Sequence, residues 1–111
     1  MEEFDCLVVY VPTADADALR TAIASAGAGR LGNYAGCSFS VEGTGRFAPL
    51  DGAQPAIGTV GEQVQVPETR IEAIYPRGGR NAIVRALLAA HPYETPAFMT
   101  FPVDVSRPPE A

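Results

Sequence analysis

One histidine, one glutamate and one cysteine are the side chains of this sequence best suited to hold a metal ion. His91 is the only histidine, Glu94 follows it by three positions, and Cys37 lies upstream in a glycine-rich stretch. Imidazole, carboxylate and thiolate ligands suit divalent copper or zinc. Two or three ligands from one subunit make a weak site, so a metal hypothesis requires neighbouring subunits to complete it.

A structural role for His91 is the favoured interpretation of the same residue. Pro92 follows it, and the residue before a proline is pushed out of the helical region, so a helix must stop here. The imidazole could then satisfy the last carbonyls of that helix, and its charged form would favour the helix C-terminus. The ligand role stays open beside this one.

A second candidate site is a run of small residues followed by an arginine, Gly43-Thr44-Gly45-Arg46, with Arg70 further along the chain. Exposed backbone amides and guanidinium groups near a subunit boundary could bind a small anionic ligand. The alternative, which we favour, is that the glycines allow a loop to bend and pack on a neighbour.

No catalytic residue is predicted. Cys37 and the nearby serines Ser38 and Ser40 could act as nucleophiles only with a base that a third group orients, and His91 is the single candidate base. Nothing in the spacing pairs them. An enzyme is therefore the minority hypothesis.

Hydrophobic periodicity predicts two consecutive strand-helix-strand units that would position these residues. The first unit comprises a buried strand from Phe4 to Val11, a helix that Thr13 or Asp15 caps and Gly27 ends, and a strand from Tyr34 to Phe47. The second comprises a strand between Val64 and Tyr75, a helix from Asn81 to His91, and a last strand from Ala97 to Val105. Between the units, five glycines and two prolines predict a long loop at about residues 43–61.

This order of elements predicts an α+β fold, a ferredoxin-like βαββαβ two-layer sandwich formed as a single domain over residues 1–111. Right-handed crossovers place both helices on one face of a four-stranded antiparallel sheet. Apolar residues nevertheless occur on both faces of the first and last strands. Another subunit is the simplest cover for the second face, so a homo-oligomer is expected.

Composition limits the remaining possibilities. The chain has 111 residues, 47% of them hydrophobic, which is enough for one core without disulfide or metal cross-links. Eight Lys and Arg against 13 Asp and Glu give a net charge of −5, which disfavours nucleic acid as a partner. No apolar run approaches the roughly 20 residues of a membrane span, and the start lacks a basic targeting region, so a cytoplasmic protein with free thiols is expected.

Two stretches resemble a known family. Residues 26–40, Ala-Gly-Ala-Gly-Arg-Leu-Gly-Asn-Tyr-Ala-Gly-Cys-Ser-Phe-Ser, with the continuation from Gly43 to Ala53, resemble the extra domain of the NGG-interacting-factor family. That family comprises the dinuclear-metal-centre hexameric proteins, and the domain is also similar to small free-standing proteins. The segment from His91 to Pro96 is similar to one in that domain and in the divalent-cation-tolerance (CutA-type) proteins.

The resemblance implies an assembly but no dinuclear centre. CutA-type and PII signalling proteins are trimers of ferredoxin-like subunits, so it implies a trimer or a multiple of one. The family's dinuclear site lies in a main body that this sequence lacks. The resulting prediction is a non-catalytic PII/CutA-like module that binds a small ligand or divalent metal ion at subunit boundaries, for regulation or assembly. The alternatives are a metal-dependent hydrolase and a purely structural oligomerisation domain.

Overall fold

A computed structural model of the chain describes residues 2–106. The elements in chain order are β1 (Phe4–Pro12), a 3-10 turn (Thr13–Asp15), α1 (Ala16–Ser25), β2 (Phe39–Phe47), β3 (Val64–Pro76), a second 3-10 turn (Arg77–Gly79), α2 (Arg80–Ala90) and β4 (Phe98–Val103). The strands form one antiparallel sheet in the order β2-β3-β1-β4. The predicted ferredoxin-like α+β fold is confirmed.

The core lies between the sheet and the two helices. Alternate residues of a strand point to opposite faces of a sheet. Odd-numbered residues of the two central strands therefore meet the apolar stripes of the helices. The main buried contributors are Leu7, Val9, Val11, Leu19, Ile23, Ile71, Tyr75, Ile83 and Leu87. Phe98 of β4 packs against the same cluster.

The ends of the helices follow from local chemistry, with two corrections. Gly27 has φ +115°, as predicted, which lets the Ala28 amide donate to the Ile23 carbonyl at 2.9 Å and close α1. Asp15 is the N-cap residue of α1, as predicted, but the expected side-chain caps are wrong. Asp15 makes no side-chain cap, and Gly79, not Asn81, precedes α2, so Asn81 lies inside that helix.

The β2 region departs most from expectation. The strand begins at Phe39 instead of Tyr34, because the backbone before it turns at glycines with positive φ, Gly29, Gly32 and Gly36. It then continues through Gly43 to Phe47, the predicted end of the strand, although the predicted loop overlapped these residues. The predicted loop at 43–61 therefore corresponds to a connection over residues 48–63.

A buried carboxylate at the start of β1 is fully paired. Asp5 is 6% exposed, and it accepts hydrogen bonds from Arg77 Nε at 2.6 Å and from the Tyr75 hydroxyl at 3.4 Å. Arg77 also contacts Glu3 at 2.7 Å. This ion pair ties the end of β3 to the start of β1, a structural task that needs no ligand.

No helix within residues 2–106 is long and apolar enough to cross a membrane.

Candidate functional site

His91 occupies a buried position between the end of α2 and β1. The Tyr93 backbone amide donates to His91 Nδ1 at 3.1 Å, and His91 Nε2 lies 2.7 Å from the Tyr10 carbonyl oxygen. Because Nδ1 accepts a hydrogen, the proton of a neutral ring sits on Nε2 and is donated to Tyr10. The acceptor is thus a carbonyl of β1, not of the helix as the sequence suggested. Both ring nitrogens are in use, and a metal ion would have to displace one of these bonds.

Tyr93 joins this turn to β3. Its hydroxyl donates to Glu68 Oε2 at 2.9 Å, and its ring meets the edge of Phe47 with centroids 5.5 Å apart. Burial, together with the hydrogen bond to Glu68, raises the pKa of Tyr93 above its usual value of 10. The hydroxyl therefore stays protonated and keeps its role as a donor.

Gly45 makes room for the carboxylate that receives this bond. A Cβ atom at Gly45 would collide with the Glu68 carboxyl group, whereas one at Gly43 would meet nothing within 4 Å. From the sequence, both glycines were expected to let the chain bend. The structure gives Gly45 a different task, since a side chain there would push Glu68 away from Tyr93.

We expect Gly45→Ala to break the bond between Tyr93 and Glu68, lowering the free energy of unfolding by about 1–2 kcal/mol. Gly43→Ala, in the same strand, is the matched control and should change little. Urea unfolding of both variants, of Tyr93→Phe and of Gly45→Ala/Tyr93→Phe measures the effect. The double variant should lose clearly less free energy of unfolding than the two single variants lose in sum, because both substitutions remove the same interaction. Equal costs for the two glycine variants would contradict this role.

Glu94 lies on the exposed side of the same turn. Its Oε1 accepts a hydrogen bond from the Gln54 backbone amide at 3.1 Å, which links the 48–63 connection to the segment before β4. Together these segments border an open cavity of about 510 Å³, lined by Arg46, Phe47, Glu68, Tyr93, Glu94 and apolar residues of the connection. Sequence reasoning did not foresee this cavity.

Cys37 does not join His91 and Glu94. It is exposed, and its backbone amide donates to the Gly29 carbonyl at 3.1 Å, in the stretch before β2. Within residues 2–106, no group of three His, Cys, Asp or Glu side chains could hold a metal ion. One subunit therefore does not form the three-ligand site. The other cysteine, Cys6, is a free thiol whose pKa is raised by burial and by the charge of Glu72.

The four residues proposed for anion binding line one groove of about 400 Å³ along β2 and β3. In the register, Arg70 lies beside Val41 on the sheet face away from the helices, whereas Arg46 pairs with Gln65 and alternates to the other face. The predicted setting is wrong, since Gly43 to Arg46 belong to β2 and pair with β3 instead of forming a free loop. Arg70 contacts Glu72 at 3.2 Å, an exposed pair.

Glu68 is the residue of this region that sequence reasoning missed. It lines both the groove and the cavity and receives the Tyr93 hydroxyl. In the sequence it is one polar residue among alternating ones, and its partner is 25 positions away. The only sign of its role in the sequence was the glycine Gly45, which lies diagonally across from it in the neighbouring strand.

The same sheet face presents large apolar side chains to solvent. Phe39 and Val41 of β2 are 63% and 52% exposed, and Met99 and Phe101 of β4 are 47% and 41% exposed. In the register, Met99 lies beside Val8 and Phe101 beside Cys6. We call Phe39, Val41, Met99 and Phe101 the open-face cluster. Its apolar character agrees with the prediction that apolar residues lie on the sheet face that the helices do not cover.

Comparison with solved structures shows the structural class of the domain. CutA1 from Ehrlichia chaffeensis, a divalent ion tolerance protein, superposes with a TM-score of 0.68 at 17% identity, over 96% of this chain and 87% of that chain. The divalent cation tolerance protein of Thermus thermophilus gives 0.65 at 16% identity, over 94% and 87%. At these identities the likeness shows the fold alone, a CutA-like ferredoxin-like domain.

Sequence identity relates the chain to a smaller group of proteins than the fold does. A Bacillus cereus protein related to NIF3 has a TM-score of 0.80 at 41% identity, over 94% of this chain and 26% of that chain. GTP cyclohydrolase 1 type 2 homologs of Mycobacterium tuberculosis and Bacillus subtilis are 48% and 46% identical over 89% and 88% of this chain. The chain spans only 26% of the length of each. No family model matches it. The chain is therefore similar to NIF3-related proteins in sequence and to CutA proteins in fold, in agreement with the resemblance seen in the sequence.

Proposed function

We propose that this protein is a homo-oligomeric PII/CutA-like module that binds a small ligand or divalent metal ion at its subunit boundaries and serves regulation or assembly without catalysis. The observation that carries the proposal is the open-face cluster. Four large apolar side chains on a sheet face that no helix covers are about half exposed, and burial of the exposed half of each would gain about 1 kcal/mol.

A second copy of the chain is the occupant that we propose for this face. A trimer is the form that the resemblance to CutA-type and PII proteins implies. The groove that Arg46 and Arg70 line borders this face, and Arg70 pairs with Val41 of the open-face cluster, so covering the face would place the Arg70 guanidinium group at a boundary. A small anion would bind there, paired to arginine at reduced solvent exposure.

A metal ion, copper or zinc, is the alternative ligand at such a boundary. Glu94 and Cys37 are exposed and free to face other subunits, whereas His91 would first have to give up a hydrogen bond. No observation favours a metal-dependent hydrolase. A purely structural oligomerisation domain would assemble in the same way but carry no ligand.

The assembly is tested by sedimentation velocity at micromolar concentration and by native mass spectrometry of protein released gently from cells. The wild type should show a multiple of the 11.7 kDa chain, with three copies expected. The variant Phe101→Glu should raise the dissociation constant at least about tenfold, because a charge replaces a buried ring.

Leu88→Glu is the matched control. Leu88 is 50% exposed on α2, away from the open-face cluster, so this variant should assemble like the wild type. A wild-type monomer, or equal effects of both variants, would refute the proposed interface. The mass spectrum separates the remaining possibilities, since a retained metabolite or metal marks a binding module and an empty oligomer marks a structural one.

A further inference from the structure

The 510 Å³ cavity between the 48–63 connection and the turn after α2 lies within one subunit. It borders the groove described above and shares Arg46 and Glu68 with it, but opens on different residues. Its volume falls in the range of small-molecule sites, which are concave, mostly apolar and fitted with a few convergent polar groups. The subunit boundary proposed above does not depend on this cavity.

The walls of the cavity suit a compact apolar body. Phe47 and Tyr93 present an edge-to-face aromatic pair, and Pro49, Pro55 and Ile57 supply aliphatic surface. Two of these walls are held by hydrogen bonds, from Tyr93 to Glu68 and from the Gln54 amide to Glu94. The cavity is therefore formed before any ligand arrives, which reduces the entropy lost on binding.

The charges of the lining favour a cation. Among its residues, Glu68 and Glu94 carry carboxylates and Arg46 the one positive charge. Each carboxylate accepts a single hydrogen bond from the described residues, although an ionised carboxylate has about four acceptor positions. Both can therefore accept more donors. The faces of Phe47 and Tyr93 add the attraction of aromatic rings for cations.

We propose that this cavity binds a small primary amine with an apolar ring or branched chain, its ammonium group donating to Glu94 and Glu68 and its body lying against Phe47 and Tyr93. The site is complete in one subunit. It does not depend on the oligomer proposed above, nor on the anion groove.

The test uses three probes of one shape and different charge, 2-phenylethylamine, 2-phenylethanol and 3-phenylpropionate, titrated into the full isotope-labelled chain by amide NMR. The amine should bind about tenfold more tightly than the alcohol, the gain of one good charged contact, and the carboxylate should bind most weakly. Shifts should centre on the amides of Phe47, Gln54 and Tyr93.

The variant Glu94→Gln keeps an acceptor for the Gln54 amide while removing the charge. It should weaken the amine about threefold, as expected for an exposed ion pair, and leave the alcohol unchanged. Glu62→Gln removes the same charge from the same connection outside the cavity lining and should change neither.

Three results would overturn the proposal. They are tighter binding of the carboxylate, equal binding of amine and alcohol, and no shifts at these amides with probe concentrations up to about 10 mM. A dissociation constant above that concentration would mean far weaker binding than small-molecule sites of this size show. Sedimentation of the same samples keeps the two proposals separate. Failure of amine binding with the oligomer intact would refute this site alone, and amine binding to a monomer would refute the oligomer alone.

Discussion

Gly29→Ala is expected to destabilise the fold by about 3–5 kcal/mol, because two separate penalties fall on one residue. Gly29 has φ +83°, a conformation that residues with a side chain rarely adopt. Two hydrogen bonds also fix its backbone, since its amide donates to the Ile74 carbonyl at 2.7 Å and its carbonyl accepts from the Cys37 amide at 3.1 Å. A Cβ atom there would collide with the backbone of Cys37, which cannot move aside without losing that bond.

Two other glycines separate the penalties. Gly32 has φ +57° but open space around it, so Gly32→Ala should cost only the conformational penalty, about 1 kcal/mol. Gly78 has open space and no positive φ, so Gly78→Ala should be nearly neutral. Denaturant unfolding at one fixed protein concentration measures the series, because oligomers gain stability with concentration. Equal costs at Gly29 and Gly32 would show that the contact with Cys37 is unimportant.

His91→Ala is expected to lower the free energy of unfolding by about 2–4 kcal/mol, more than a helix cap is worth. The ring is 6% exposed and serves two backbone groups, so its removal leaves both the Tyr10 carbonyl and the Tyr93 amide without a partner. His91→Asn retains an acceptor near Nδ1 and His91→Gln a donor near Nε2. Each should recover part of the loss.

Zinc and copper titrations of the same variants distinguish a structural His91 from a ligand. In the structural role, metal affinity should be the same in wild type and His91→Ala while stability falls. Stoichiometric binding at submicromolar affinity that disappears in His91→Ala, with unfolding otherwise unchanged, would make His91 a ligand and contradict the hydrogen bonding described here.

The fold was accessible from the sequence because its central elements carry strong periodic signals. β1 and β3 are runs of β-branched and aromatic residues, and the stripes of both helices repeat at helical spacing. β2 was predicted five residues too early at its start, and its second half was also predicted as loop, since Gly43 and Gly45 weaken a strand signal. Gly45 is explained by Glu68, whose carboxylate fills the space beside it, and that neighbour becomes visible only once the strands are in register.

The candidate site was accessible only in part, for a related reason. Residue types suggested His91 and Glu94, and the structure places both in one turn. Their partners are Tyr10 and Gln54, backbone groups that any residue offers and that no sequence pattern marks. Cys37 looked equivalent by chemistry, yet the glycine turns before β2 hold it elsewhere. Side-chain chemistry can be read from a sequence, whereas long-range hydrogen bonding cannot.

The strand order has a consequence for how the chain acquires its structure during synthesis. β1 leaves the ribosome before the other three strands but lies in the middle of the sheet, where it pairs with β3 on one side and β4 on the other. Phe4 pairs with both Pro76 and Val103, so its pairing is complete only after Val103 has emerged. Such distant pairing slows folding, because a large loop must close before any contact repays it. Until then the Leu-Val-Val stretch of β1 leaves its apolar side chains unpacked, which exposes the nascent chain to aggregation.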